Sequence, residues 1–169
     1  MSASAANVAY NGVTGYTGLK NASGVRTTQT YQGVALLATS FEKVINVAAG
    51  ASGAGTAGIA GSGSVLALDE TTTAKIDDVS VVNANSYILI PGADVVVLAT
   101  DRTDALGIGG ALAAGGTGGI GAGADVTRLV KVTEANIGGD VDATRHIIVL
   151  ASNTEDLVSV AGAVGAGGS

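Results

Sequence analysis

The chain repeats itself at a fixed offset, and this repeat limits its possible folds more than any other feature. Residues 34–76 align on 95–137 without a gap, with 13 of 43 positions identical. VALLAT at 34–39 meets VVVLAT at 95–100, and GTAGI at 55–59 meets GTGGI at 116–120. Further on, Val65, Leu68, Thr72, Ala74 and Ile76 meet Val126, Leu129, Thr133, Ala135 and Ile137. A third copy opens at a shorter offset, where 149–169 matches 97–117 at nine of 21 positions. The difference in offset corresponds to SYILIPGAD at 86–94, which carries the only proline, Pro91, followed by Gly92, and reads as a turn or inserted loop. Units that repeat in this way bury their apolar faces by stacking on their neighbours. The copies fall near 34–94, 95–148 and 149–169, the last one unfinished, so its open edge calls for cover by a continuing chain or another subunit.

Composition says what those units can be made of. Of 169 residues, 47% are hydrophobic, yet only 3% are aromatic and 27 are glycine. The apolar side chains are largely Ala and Val, which fill a thin layer between closely spaced backbones better than a broad core. Charged residues make up 13%, about half the usual share, so the pattern is one of ordered material with little surface charge. A net charge of −6, with no basic cluster, argues against nucleic acid and against adsorption to an anionic membrane. The absence of cysteine removes disulfides, thiolate zinc sites and thiol chemistry together. The opening MSASAANVAY has neither the basic nor the apolar region of a signal peptide. The expectation is that the chain is not exported by that route, or that it is a segment of something longer.

Each unit has an apolar run such as 95–99, a polar TDRTD stretch that reads as a turn, a long Gly/Ala/Ile stretch and a β-branched run such as VTRLVKVTEANI. Nine glycines in 105–124 disfavour a helix there, since each costs nearly 1 kcal/mol against alanine. The pattern predicts an all-β fold, a parallel β-solenoid (β-helix) built from imperfect 52–61-residue repeats. With roughly 20–25 residues per coil, stacked about 4.8 Å apart, the chain would form about seven coils. Residues 1–33 lie outside the repeat and hold Tyr10, Tyr16 and Tyr31, with Phe41 close behind; an N-terminal cap or assembly arm is expected.

The succession of DVVVLAT, ALGIGGALAAGGTGGIGAGADV and VTEANIGGDV resembles the repeats of large filamentous adhesins, the haemagglutinin-like and leukotoxin-like passenger proteins of Gram-negative bacteria. The resemblance covers 34–169. It implies a right-handed parallel β-helix at the cell surface with no catalytic residues in its repeats, so no site residue carries over. The segment 1–33 and the short length depart from that pattern.

Several motifs imitate chemistry. Gly53, Gly55 and Gly58 satisfy GxGxxG after VINV, with Asp69 beyond them, as in a dinucleotide site. The second copy places Ala114, Gly116 and Gly119 at those positions, which makes the pattern a by-product of composition. Gly115, Gly119 and Gly123 have the spacing of a membrane-packing zipper inside the uncharged stretch 105–124, but few of its residues are strongly lipophilic. The acid pairs Asp69/Glu70, Asp77/Asp78, Asp101/Asp104, Asp140/Asp142 and Glu155/Asp156 offer oxygen ligands to calcium, without an EF-hand loop or a GGxGxD repeat. Paired carboxylates also fit glycoside hydrolysis, but the chain lacks the aromatic residues that stack sugars. His146 is the only histidine, so a metal site or a Ser/His/Asp triad has one candidate at most; a surface or edge position is expected. Asn21-Ala22-Ser23 matches a glycosylation sequon.

These observations predict a non-enzymatic structural or adhesive module of a secreted or surface-displayed scaffold. No catalytic, cofactor-binding or metal residues are expected, calcium remaining the one ion to consider. The expected partner is the chain itself, as a homo-oligomer or end-to-end polymer, or a host or neighbouring cell surface. Alternatives are a self-polymerising subunit of an extracellular filament or virion fibre, and a glycine-zipper membrane protein.

Overall fold

The computed structural model describes residues 2–3, 7–78, 80–83 and 93–168. It is all-β, with long parallel strands in two parallel sheets. The strands are β1 (Ser2–Ala3), β2 (Asn7–Lys20), β3 (Arg26–Ala54), β4 (Ala57–Ile76), β5 (Val81–Asn83), β6 (Asp94–Gly115), β7 (Gly118–Ile137), β8 (Asp140–Asp142) and β9 (Ile147–Gly167). One sheet has the order β2-β3-β6-β9, another β1-β4-β7, and β5 pairs with β8 in parallel. The inserted-loop expectation for 86–94 falls almost wholly outside the described residues.

The sequence offset is the stacking register. Each full copy is a long strand, a short turn and a long returning strand: β3 turns at 55–56 into β4, and β6 turns at 116–117 into β7. At those turns the Thr117 N–H donates to the Thr56 carbonyl at 2.7 Å, and the Thr117 hydroxyl reaches the same oxygen at 2.8 Å. The segment that leads into the third copy already stacks at that copy's shorter offset, with the Arg145 N–H donating to the Ala93 carbonyl at 3.1 Å. The short coils expected from the glycine pattern do not occur among the described residues, because β3 and β4 run from end to end without a corner. The TDRTD stretch is not a turn either. It lies inside β6, where its residues alternate between buried (Asp101, Thr103) and half-buried (Arg102, Asp104).

The chain divides into two compact units, and each long strand contributes to both. The first comprises 1–41, 70–102 and 131–154. Val34, Leu36 and Ala38 of β3, Ala74 and Ile76 of β4, and Val95, Val97 and Ala99 of β6 form its main core. A second cluster joins Tyr31 and Ala35 to Val96 and Leu98, so both faces of β6 are buried here. A buried Val or Leu stabilises by about 1.5–3 kcal/mol, which makes this unit the conventionally packed one. β2 lies antiparallel along the start of β3, with register shifts between Ala9 and Val13 and between Tyr16 and Lys20. Gly33 sits opposite the first shift with a φ of 101°, and a Cβ there would lie 2.3 Å from the Asp94 carbonyl oxygen. Only glycine meets both demands.

The second unit comprises 42–69, 103–130 and 155–169. Its buried apolar cluster is Ala60, Ala111 and Ala113. Glycines fill the rest of the inner layer: a Cβ on Gly109 would lie 2.2 Å from the Ala124 oxygen, and one on Gly123 would lie 2.4 Å from the Gly162 oxygen. Three alanines offer little transfer free energy, so inter-strand hydrogen bonds, each contributing about 0.5–1.5 kcal/mol net, carry this unit. Larger apolar residues point outward, with Ile59, Val65, Ile120 and Val126 all more than half exposed.

Candidate functional site

The polar residues follow the same register. Residues that superpose between copies become neighbours on β4 and β7, so Glu70 of β4 stands beside Lys131 of β7. Asp101 of β6 reaches the same point from the other sheet. All three belong to the first unit. The Lys131 side chain is 3% exposed, Glu70 9% and Asp101 0%, an unusual depth for three ionic groups. The Lys131 ammonium rests against Asp101 Oδ1, and Glu70 Oε2 lies 3.4 Å from the same nitrogen. Thr72, fully buried on β4, donates its hydroxyl to Asp101 Oδ2 at 3.1 Å.

A second node of the first unit joins the segment just before β9 to the start of β6. Arg145 Nε donates to Asp94 Oδ1 at 2.8 Å and its NH2 group pairs with Oδ2, while His146 Nδ1 lies 3.1 Å from Oδ1. Thr144 ties the segment down further, accepting the Ala93 N–H at 2.8 Å. The Arg145 hydrogen bonds chiefly, and His146 after them, hold the Asp94 carboxyl below the usual range, against the opposing effect of burial.

In the second unit Asp125 accepts hydrogen bonds from Ser159 of β9 and from Thr127. The Ser159 hydroxyl chiefly, with the nearby Ser64 and Thr127 hydroxyls, holds its pKa below the ordinary value. Ser64 is the counterpart of Asp125 in the first copy. Outside, Arg128 pairs with Asp69 at 2.9 Å across β7 and β4, both side chains exposed. An apolar groove of about 580 Å³ crosses β3, β6 and β9, lined by Ala49, Ile108, Leu112, Val160 and Val164 among others. No family model, curated protein or solved structure matches the chain.

The motifs singled out in the sequence resolve on this frame. Gly53, Gly55 and Gly58 form a strand–turn–strand and not a strand–turn–helix, and Gly58 packs against the Ala114 carbonyl, so no phosphate cradle opens. Gly119 and Gly123 belong to an every-second-residue stripe with Gly121 on the inner side of β7, and Gly115 ends β6. Among the described residues no helix is long and apolar enough to cross a membrane. Of the acid pairs, Glu70 and Asp101 meet, and the positive charge between them is the ammonium of Lys131. Asp69 faces outward to Arg128, and Asp77 pairs with Lys75 at 3.1 Å. Asp140 and Asp142 lie on β8, and Glu155 and Asp156 on β9, all exposed.

His146 occupies the exposed link before β9, at the surface position expected of it. Asn21 folds its own turn, its Oδ1 accepting the N–H groups of Ser23 at 3.0 Å and Val25 at 2.9 Å. Among the aromatic residues, Tyr31 is in the core and Phe41 receives the Arg26 guanidinium at 5.6 Å from its ring centre. Lys131 is the residue that motif reading passes over. A single lysine in a strand has no signature, and only superposing the copies places it beside Glu70.

Proposed function

We propose that the chain is a structural module of a secreted or surface-displayed scaffold, in which stacked repeats form a β-solenoid and the working chemistry is backbone pairing between copies. The observation that carries this is the identity of sequence offset and stacking register, with Thr56 bonded to Thr117 at the turns. A lattice in which each copy templates the next extends by adding copies, which suits a stalk or filament. The thin Gly/Ala layer supports the same reading, because it fills the interior of the second unit with closely approaching backbone. On this reading the chain is kin in design to the filamentous adhesin repeats that its sequence resembles, it is not an enzyme, and it acts outside the cell.

A second reading, a self-polymerising subunit of a filament or virion fibre, is favoured by β9. Among the described residues it pairs with β6 alone, and Leu157, Val158, Val160 and Val164 are each about half exposed. Such an edge accepts another strand readily. Electron microscopy of the purified chain over a concentration series tests both readings. Monodisperse particles throughout support the module; regular filaments whose length grows with concentration support the polymer. A helical far-UV circular dichroism spectrum would sink both.

A further inference from the structure

The buried triad of Lys131, Asp101 and Glu70 has the makings of a covalent cross-link. We propose that Lys131 and Asp101 condense into an intramolecular amide, with Glu70 as the proton carrier, stapling β6 to β7 across the two sheets. The inference is independent of the scaffold reading, since it concerns only chemistry inside the first unit.

Three observations converge on it. The amine and the carboxyl touch, with Nζ against Oδ1, and both are withdrawn from water at 3% and 0% exposure. Proximity of this kind replaces an encounter in solution by a single-molecule step, an advantage that in well-oriented pairs reaches about 10⁵–10⁸ M in effective concentration. Second, Glu70 lies 3.4 Å from the same nitrogen, on the adjacent strand, where it can relay protons. Third, the Thr72 hydroxyl donates to Oδ2, the oxygen on which negative charge collects when nitrogen adds to Cγ.

The step balances without any co-reactant. Glu70 takes a proton from the Lys131 ammonium, freeing the nitrogen lone pair, and that proton passes to Oδ1 of Asp101. Nζ then attacks Cγ; the Nζ–Cγ bond forms and Oδ2 carries the charge under the Thr72 hydroxyl. The Cγ–Oδ1 bond breaks as a second proton from nitrogen reaches Oδ1 through Glu70, and Oδ1 departs as water. An ammonium and a carboxylate become a neutral amide and one water, nothing is oxidised or reduced, and Glu70 is a carboxylate again. Ionic groups held out of water carry a large desolvation cost, and the amide removes two of these charges.

The placement is specific to the second copy. When the copies are superposed, Lys131 falls on Glu70 and Asp101 on Ser40, so the first copy offers a hydroxyl and an acid where the second offers an acid and an amine. The partner positions therefore differ between copies that otherwise share their apolar order.

Intact-mass spectrometry of the soluble, β-rich chain decides the matter. The mass should fall below that of the sequence by one water, and digestion should release a branched peptide joining Asp101 to Lys131. Lys131→Arg and Asp101→Ala should each restore the full mass, while Glu70→Gln should slow closure by at least about 10²-fold. Wild-type protein that is folded and still has its full mass after prolonged incubation overturns the proposal, whatever the variants do. So does a water loss that persists in Lys131→Arg, because it would arise elsewhere, as from a succinimide.

Discussion

Asp94 shows how a single carboxylate can set the pH range of a chain with so few charges. It is 6% exposed, gripped by Arg145 and touched by His146, and its pKa in the folded protein lies below the ordinary value. A depressed carboxyl pKa contributes stability that is complete above its unfolded value of about 3.9 and is lost as pH falls through the folded value. Asp125 is shifted in the same direction, chiefly by Ser159, so both act on the acid limb. Asp94→Asn keeps the shape but removes the charge. At neutral pH it should cost about 1–2 kcal/mol, toward the low end because half-exposed Arg145 is screened by solvent. The gap should hold down to about pH 4 and close only as pH falls further, through the depressed folded-state pKa, where the wild-type carboxyl is neutralised too. Urea melts at several pH values check this; parallel stability curves down to strongly acid pH would show that Asp94 does not carry the charge linkage assigned to it. Asp94 is also a residue on which the sequence is silent, because its partners Arg145 and His146 lie just ahead of the third copy, outside the stretches that the repeat aligns.

At the scale of the strand, glycine has two opposite meanings in neighbouring positions. A Cβ on Gly109 would meet the Ala124 carbonyl oxygen at 2.2 Å and its carbon at 2.7 Å, and that backbone belongs to a paired strand that cannot yield cheaply. Gly110, one residue on, faces open space. Gly109→Ala should therefore destabilise by about 1–3 kcal/mol, as overpacking does. Gly110→Ala should be neutral or stabilise by about 0.4–1 kcal/mol through the unfolded chain. Equal shifts in the urea midpoints of the two variants would mean that the sheets are not separated by a one-atom layer.

The same positions explain what is legible in the sequence. The all-β class and the parallel stacking can be read there, because Val34 and Val95, and Ile76 and Ile137, superpose between copies and pack together in one core cluster. The length of the strands cannot. Glycines usually mark corners, so a Gly-rich stretch suggests short coils, whereas Gly109, Ala111 and Ala113 occupy every second place because two backbones approach there, and Gly107 leaves room for the Asp125 carboxylate. The turn expected at Asp101 and Thr103 fails for a similar reason. Polar residues inside a strand face a polar interior only when a partner such as Lys131 stands opposite, and that partner comes from a different strand of the other sheet.

For the whole chain, strand position predicts a gradient of stability that a single global value would hide. β6 has β3 on one side and β9 on the other, while β9 has one strand neighbour among the described residues. In β6 the amides of both edges are bonded to other strands; in β9 every second amide points away from its only partner. Proteins built from stacked repeats open from such margins, since each unit is held by its nearest neighbours alone. Amide hydrogen exchange in dilute solution should therefore show alternate β9 amides exchanging on the order of 10²-fold faster than those of β6, with β3 and β4 between them. Concentration then separates the two functional readings. If a second copy adds to the β9 edge, its unprotected amides slow as the protein is concentrated while β6 stays unchanged. If the chain works as an isolated module, the profile is the same at every concentration. Protection that is uniform from β3 to β9 at the lowest concentration would contradict the strand order itself, because no single-neighbour strand can be guarded on both edges.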